Sequence, residues 1–469
     1  MKPQENYPKW LFIAFPALAM MLGWGLRGHI GGGPFGAMIP GAMVAICLGL
    51  LLKMPRSAIS VLAVFGIIGI GLGGEMTYGQ TLGFLRNPET VWWGTTGTTI
   101  KGAVWGMLGG TVLSLGFFFN RIKKKTLIIA FLLMMAGMIA GFKLINDPMV
   151  LYFSDPAKPR PESWAALLFG AITLLLFLKF KTDKNTFKTI WIFTIWGTIG
   201  GGLGFGLGGF WMVMGSHLPD VIFKSWWKAM EFTFGLLFGA SLGIAAWISR
   251  NELKTLNSEK PVFDEPAIFP VWKELLIVFI TGIITYWFLP FHIESFVETS
   301  QNSSSFIVLI LHELARIVSN YAFYGFLFML VITRYPQTCW QIAVTLTFCH
   351  AAIDLVRDYY PDTNTFSPFT MHFFWVMLMT SSVALVVSWF VRNEKSVRNL
   401  FLLLIWACVA VSFLRMGINP KSLSVEGLSL CQIVCGRFIV DIFFVVSAVA
   451  VSLMLLKRFN RIEANSFQP

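Results

Sequence analysis

Long apolar runs alternate with short polar segments along the whole chain. A helix needs about 20 mostly apolar residues to cross a bilayer, and only helical bundles and closed barrels satisfy their backbone groups in lipid. The runs are continuous and do not alternate every second residue, which favours helices. The pattern predicts an all-α polytopic membrane protein with about fourteen spans, near residues 10–26, 37–52, 57–74, 96–119, 126–145, 163–180, 189–209, 226–249, 270–290, 305–333, 336–355, 368–392, 399–415 and 430–456.

Composition supports the same interpretation. The chain of 469 residues is 56% hydrophobic and 13% charged, whereas soluble domains are roughly 25% charged. The first apolar run, from Trp10 to Leu26, follows two lysines, as the core of a signal peptide would. No small-residue cleavage site follows this run, so we interpret it as a retained first span.

Positive charges fall on alternate loops. Counted over the predicted spans, 22 lysines and arginines lie on one side and about nine on the other. The richer side is expected to face the cytoplasm, which places both termini there, in the plasma (inner) membrane of a bacterium. The net charge of +12 is then mostly a topology signal, and no nucleic-acid partner is expected.

The polar stretch from Ser249 to Pro266 divides the chain into two halves. We expect a glycine-rich membrane domain with about eight spans over residues 1–249 and a cytoplasmic linker over 250–269. A second membrane domain with about six spans is expected over residues 270–469.

The glycine-rich half contains a degenerate internal repeat. The spacing W-G-x-x-G-x-x-x-G-x-x-x-G occurs over Trp24–Gly36 and again over Trp196–Gly208. A second correspondence, at a different offset, relates Leu72–Trp93 to Leu207–Trp227, and each copy ends in a tryptophan pair. Glycine at every fourth position lets helix backbones approach closely, so tight packing explains part of the pattern.

The segment Arg27–Pro34 is harder to explain by packing alone. Three consecutive glycines and a proline should break a helix, yet apolar sequence flanks them on both sides. Broken or re-entrant backbone at membrane depth is tolerated where it lines a cavity. In transporters such segments often mark the substrate site near the membrane midplane.

Polar residues that lipid would disfavour gather around these glycine-rich segments. Such residues usually face a cavity or one another, although those at the outer ends of spans can instead snorkel to the interface. The tryptophan pairs are typical of the interfacial belt, with stacking on a substrate as the alternative. The candidate substrate-binding residues are Arg27, His29, Glu75, Tyr78, Gln80, Lys101, Trp92, Trp93 and Glu231.

The sequence predicts no cofactor and no metal site. The phosphate-binding pattern G-x-x-x-x-G-K-[ST] does not occur, so ATP-driven transport by this chain is not expected. Cys431 and Cys435 are four residues apart, but no second cysteine or histidine pair has a matching spacing.

A second group of ionisable residues lies in the C-terminal half and consists of His312, Glu313, Arg316, His350 and Asp354. Arg316 stands where the zinc-protease motif H-E-x-x-H needs its second histidine. We interpret the group as a proton relay or an ion-pair network, since histidine titrates near neutrality. A site assembled across the two helices is the alternative, and no residue is assigned as catalytic.

Ser319–Phe328, followed by Leu346–His350, resembles the E-E-x-x-F-R-G and F-x-x-x-H segments of the CAAX-protease and bacteriocin-processing membrane family. Ser319 and Asn320 stand where that family has its glutamate pair, and Tyr324 replaces its arginine. Of the family's catalytic residues, the resemblance carries over only His350.

These observations favour a transporter over two alternatives. The expected function is secondary, proton-coupled transport of a small polar or anionic solute, such as an organic acid or an acidic sugar. One alternative is a membrane acyl- or glycosyltransferase acting on a lipid-linked substrate, and the other is a non-catalytic assembly subunit. The expected partners are the solute and the lipid bilayer, with a homo-oligomer left open.

Overall fold

The computed structural model describes residues 7–30, 33–217, 226–256, 269–301, 305–359, 371–392, 397–418, 427, 429–434 and 439–466. These residues form helices and loops and no strand. The helices are α1 (Lys9–Ile30), α2 (Gly33–Leu51), α3 (Arg56–Gly73), α4 (Gly79–Gly83), α5 (Val91–Phe117), α6 (Lys124–Gly141), α7 (Trp164–Lys181), α8 (Lys184–His217), α9 (Trp226–Leu256), α10 (Val271–Ile283), α11 (Ser295–Ser300), α12 (Phe306–Ser319), α13 (Tyr321–Ile332), α14 (Pro336–Tyr359), α15 (Met371–Arg392), α16 (Val397–Ile418), α17 (Leu430–Ile433) and α18 (Ile439–Ser466).

In the described part of the chain, eleven helices are long and apolar enough to cross a membrane, or twelve if the bent pair α12–α13 is one span. This confirms an all-α, multi-pass membrane protein. The count of fourteen stays a prediction, since α14 and α18, in the ranges of two further predicted spans, are not among the eleven. The predicted linker lies mostly outside the described residues, and α9 continues beyond the predicted span end to Leu256.

Glycine faces bring the inner helices into backbone contact. A Cβ atom on Gly106 of α5 would overlap the carbonyl oxygen of Gly197 on α8, and one on Gly201 of α8 would overlap that of Gly102. The same helix α8 presents Gly200 to Ser241 of α9. Close packing therefore accounts for the glycine spacing in α8, on two of its faces.

In the described part of the chain, the helical path is interrupted at three places that bear on the predicted breaks. α1 continues through Arg27 to Ile30 and α2 starts at Gly33 with a positive φ of 78°, so one helix ends and another begins within the glycine–proline segment. Between α3 and α5 the chain forms only the short helix α4 and a 3-10 turn. The third interruption is a bend of 63° between α12 and α13 at Asn320.

The outer face of α8 is apolar and exposed over most of its length. Its exposed large side chains recur every three to four residues, with one adjacent pair, and are Trp191, Ile195, Ile199, Leu203, Leu207, Phe210, Trp211 and Met214. A helical face of this kind is suited to lipid. The tryptophan pairs Trp92–Trp93 and Trp226–Trp227 each lie in the first turn of a helix, but the internal repeat stays a prediction.

We expect Gly106→Ala to destabilise the protein by about 1–3 kcal/mol, because the methyl group must separate α5 from α8. Thermal unfolding in detergent would measure the effect as a lower midpoint. Gly83→Ala is the matched control, since a Cβ at residue 83 meets nothing within 4 Å. Equal midpoints for the two variants would contradict the packing argument.

Candidate functional site

The end of α1, the start of α9 and the loop between α3 and α5 meet around a buried ion pair. Nη1 of Arg27 lies 3.5 Å from Oε1 of Glu231, and the two side chains are 2% and 3% exposed. Arg27 also donates a hydrogen bond to the hydroxyl of Tyr78, which donates to Oε1 of Glu231 at 3.3 Å. Three predicted site residues, from three separate segments, thus form one cluster.

Aromatic rings surround this ion pair. The guanidinium carbon of Arg27 lies 5.0 Å from the ring centroid of Trp24, 5.2 Å from that of Tyr78 and 5.5 Å from that of Trp105. Such cation–π contacts are strongest when the cation is desolvated. Trp227 donates from Nε1 to Oε1 of Glu231 at 3.1 Å. The charge of Arg27 is therefore balanced by one carboxylate and three ring faces.

Glycines on α1 make room for the carboxylate and for a neighbouring ring. A Cβ atom on Gly28 would overlap Oε2 of Glu231, and one on Gly25 would overlap the ring of Phe232. The predicted residue His29 follows Gly28 directly, but its side chain lies outside those that the structure describes. The glycines of the W-G-x-x-G motif in α1 therefore serve the ion pair as well as helix packing.

Some buried polar atoms at the ion pair form no hydrogen bond. Among the described residues, Oε2 of Glu231, Nε of Arg27 and Nε1 of Trp24 are buried and have no hydrogen-bond partner. Buried polar atoms are nearly always bonded in native structures, and leaving one unbonded costs about 1–3 kcal/mol. Two donors and one acceptor are thus available to bind a further polar group.

Lys101 belongs to a different buried cluster. Its Nζ donates to Oε1 of Glu162 at 2.7 Å, to the carbonyl oxygen of Thr77 at 2.7 Å and to Oγ1 of Thr81 at 2.8 Å. An ammonium group has three protons, so these three bonds use all of its donors. Oε2 of Glu162 in turn accepts from the backbone N–H of Phe153 at 3.1 Å.

Gln80 binds the same segment between α6 and α7. Its Nε2 donates to the carbonyl oxygen of Lys158 at 2.9 Å, and its Oε1 accepts from the N–H of Asp155 at 3.1 Å. Lys101 and Gln80 together hold this segment against the loop that carries Tyr78. Their bonds are made within the protein, which favours a structural role for both residues.

The other predicted residues of the N-terminal half lie apart from Arg27. Glu75 accepts a hydrogen bond at 2.7 Å from the backbone N–H of Tyr321, at the start of α13. Trp92 is 75% exposed and Trp93 is 42% exposed, and the ring of Trp93 lies 5.0 Å from that of Phe153. The tryptophan pair is therefore at the surface and not around the ion pair.

The predicted C-terminal group has several separate partners. His312 shares a hydrogen bond of 3.0 Å with Ser300, whereas Glu313 lies 3.4 Å from Nζ of Lys143 and 3.7 Å from Nη1 of Arg316. His350 packs against the rings of Phe35 and Tyr286, each with a centroid distance of 6.2 Å.

The side chain of Asp354 lies outside those described. Within the described residues, no group of three or more histidine, cysteine, aspartate or glutamate side chains could hold a metal ion.

Sequence reasoning did not identify Glu162 or the rings of Trp24 and Trp105 as site residues. Glu162 is followed after one residue by the apolar run of α7, and an acidic residue at the edge of a span was the available signal. Trp105 lies in the middle of α5, where a single tryptophan is not distinguished from other core residues.

A separate cleft of about 290 Å³ lies on the opposite face of α9 from Glu231. Helical periodicity of 100° per residue directs Ala229, Phe232, Thr233 and Leu236 away from Glu231. The cleft is lined almost wholly by apolar side chains from α1, α8, α9 and α18. It therefore gives no polar route to the ion pair.

Comparisons with protein-family models, with curated proteins and with solved structures gave no match to the chain.

We expect Glu162→Gln to lower the free energy of unfolding by about 3–5 kcal/mol, because it leaves the ammonium of Lys101 buried without its counter-charge. Glu313→Gln is the matched control at an exposed pair with Lys143, where a loss of at most about 1 kcal/mol is expected. Denaturant unfolding in mixed micelles would measure both variants. Similar losses for the two would show that burial does not distinguish these ion pairs.

Proposed function

We propose that the protein is a proton-coupled transporter of a small carboxylate, with Arg27 and Glu231 as its binding and coupling residues. The observation that carries the proposal is a buried arginine–glutamate pair with two donors and one acceptor atom left unbonded among the described residues. Ionisable groups inside a helical membrane protein usually serve substrate or proton pathways. In the cluster, a cation for the solute and a carboxylate for the proton are adjacent.

The proposed mechanism is competition for Arg27. When Glu231 is ionised it occupies the guanidinium, and no solute anion can bind. A proton taken up at Oε2 neutralises Glu231, so that the carboxylate of the solute replaces it on Arg27, where planar bidentate bonding favours a carboxylate. One proton and one monocarboxylate then cross together without net charge, and release of both restores the ion pair.

The surroundings of Arg27 favour a carboxylate with an apolar body. Recognition of a hydroxyl group requires a polar partner placed for it, and the described neighbours of Arg27 are mainly the rings of Trp24, Tyr78 and Trp105. This supports an aromatic or short aliphatic acid over an acidic sugar.

The finer topology is part of the same proposal. We propose fourteen spans with both termini in the cytoplasm, on the strength of the charge asymmetry of the loops, in a bacterial plasma membrane. An even number of spans keeps the two termini on one side. The distribution of positive charge is the support for this orientation.

Binding is tested first, with pyruvate, phenylpyruvate and glucuronate as probes in a thermal-shift assay in detergent. A ligand that binds the folded state raises its unfolding midpoint by mass action. We expect shifts with pyruvate and phenylpyruvate, larger at pH 5.5 than at pH 8, and a smaller one with glucuronate. Arg27→Met should abolish them, and equal shifts in that variant would exclude Arg27 as the anion site.

Coupling is tested in proteoliposomes containing a trapped pH-sensitive dye. Phenylpyruvate added outside should acidify the lumen with the wild-type protein. Glu231→Gln should still bind phenylpyruvate, without dependence on pH, but should move no protons, because its amide mimics only the neutral carboxyl. Glu252→Gln, the same substitution on the same helix at an exposed pair with Arg121, is the control. Proton movement by Glu231→Gln would refute this coupling mechanism.

A further inference from the structure

The apolar cleft between α8, α9 and α18 opens on the outside of the helical bundle. Its volume of about 290 Å³ is close to the lower limit of roughly 300 Å³ for cavities that bind small ligands. α9 contributes Ala229, Phe232, Thr233 and Leu236 to the lining, and α18 contributes Ile439 and Phe443. Ile439 and Phe443 are exposed, as is Trp211 of α8, which also lines the cleft. In a membrane-spanning bundle, such a mouth faces lipid.

The lining of the cleft is suited to hydrocarbon and not to a polar solute. Among the described residues that line it, Trp211 and Thr233 are the two with a polar side-chain atom, and they bond each other. Nε1 of Trp211 donates to Oγ1 of Thr233 at 2.9 Å, and this hydroxyl donates to the carbonyl oxygen of Ala229 at 2.9 Å. A polar solute placed in the cleft would therefore give up hydrogen bonds to water without replacing them.

A positive charge lies at one end of the cleft. Nζ of Lys228, in the first turn of α9, is 3.4 Å from Oδ1 of Asp441 in the first turn of α18. The side chain of Lys228 is partly exposed, whereas that of Asp441 is buried. Leu236 lies eight residues further along α9, which corresponds to about 12 Å of helix. The cleft thus runs from a cation at the helix ends into a wholly apolar region.

This distribution matches a molecule with an anionic head and an apolar chain. Half of the hydrocarbon core of a bilayer is about 15 Å thick, so the acyl chain of a lipid in one leaflet is long enough to fill the cleft. An empty cleft would leave its lining without dispersion contacts on one side. Phospholipids combine such a chain with a phosphate, and an ammonium group, with three protons, can bond a phosphate and Asp441 together.

We propose that the cleft is a phospholipid site, with one acyl chain between α8, α9 and α18 and the phosphate beside Lys228. The site lies on the opposite face of α9 from Glu231 and does not depend on the proposed transport.

A bound chain would contact the residues that attach α18 to α9. The ring of Phe232 lies 5.5 Å from that of Phe444 and 6.1 Å from that of Phe443, measured between centroids. The same ring fills the volume that Gly25 of α1 leaves, because a Cβ atom on Gly25 would overlap it. A lipid lying against Phe232 and Phe443 therefore supports the junction of α1, α9 and α18, and its binding should stabilise the folded protein.

Native mass spectrometry of the full-length protein, purified in a mild detergent, tests the site. The wild-type protein should retain one bound phospholipid. Leu236→Trp should lose it, because the larger ring fills the cleft. Leu203→Trp is the matched control, since Leu203 is exposed on α8 and is not part of the lining, and it should retain the lipid. Absence of bound lipid from the wild type, or equal retention by the two variants, would overturn the proposal.

Thermal unfolding of delipidated protein separates the head group from the chain. Phosphatidylglycerol added to the micelles should raise the midpoint of the wild type and of Lys228→Arg, and should raise that of Lys228→Gln less. Inorganic phosphate should give no shift, because it has no acyl chain. Equal shifts with inorganic phosphate and phosphatidylglycerol would contradict a chain in the cleft, and equal lipid shifts in Lys228→Gln and Lys228→Arg would contradict the phosphate position.

Photocrosslinking in vesicles provides a measurement on the unaltered chain. Phosphatidylglycerol with a diazirine in its acyl chain should label residues 229–236 and 439–443 in preference to the exposed face of α8. Even labelling of all exposed apolar faces would overturn the site. A wild-type dimer that Leu236→Trp converts to a monomer would also overturn it, because a second copy of the chain would then be the occupant of the cleft.

Discussion

A charge buried among apolar helices must have a partner, and this requirement governs the arrangement of the N-terminal half. Transfer of an isolated ion into such surroundings is far more costly than any single packing contact. Arg27 and Lys101 are both buried, and each lies beside a buried carboxylate. The two pairs fix the loop between α3 and α5 from both sides, because Tyr78 bonds one pair while Thr77 and Thr81 bond the other.

The glycines make these pairs sterically possible. Gly28 leaves the volume that Oε2 of Glu231 fills, and Gly106 and Gly197 let α5 and α8 approach until their backbones touch. Small residues in α1 and α9 act likewise, since a Cβ on Gly239 would overlap the carbonyl oxygen of Pro16. The high glycine content is thus required by the buried ion pair as well as by the close packing of the helices.

Sequence patterns were sufficient for the fold class and for part of the site. Apolar run length determines which segments can span a membrane, and the cost of intramembrane charge singled out Arg27 and Glu231. The sequence could not show which polar groups bond each other, because the partners are far apart along the chain. Tyr78 and Glu231 are separated by 153 positions, and Lys101 and Glu162 by 61. Lys101 was grouped with Arg27 for that reason, although it bonds the segment before α7.

The breaks between helices could likewise be predicted only in part from the sequence. Glycine and proline predicted a break near Arg27, and the structure has one helix ending and another beginning there, whereas the bend at Asn320 carries no glycine or proline. At that bend the side chain of Asn320 caps α13 by accepting from the N–H of Ala322, and Glu75 accepts from the N–H of Tyr321; the second contact joins residues 246 positions apart and could not be predicted from local sequence.

The lipid-facing side of α8 has a consequence for the depth of the ion pair. Trp191 and Trp211 are both exposed on it and are separated by 20 residues, or about 30 Å of helix, which is about the thickness of the hydrocarbon core. Trp211 bonds Thr233 and packs beside Trp226, so Glu231, between Trp226 and Thr233 in α9, lies at the level of Trp211, at one end of this stretch of α8. The ion pair is therefore covered unequally, by the loop of Tyr78 on one side and by a long stretch of glycine-packed helices on the other.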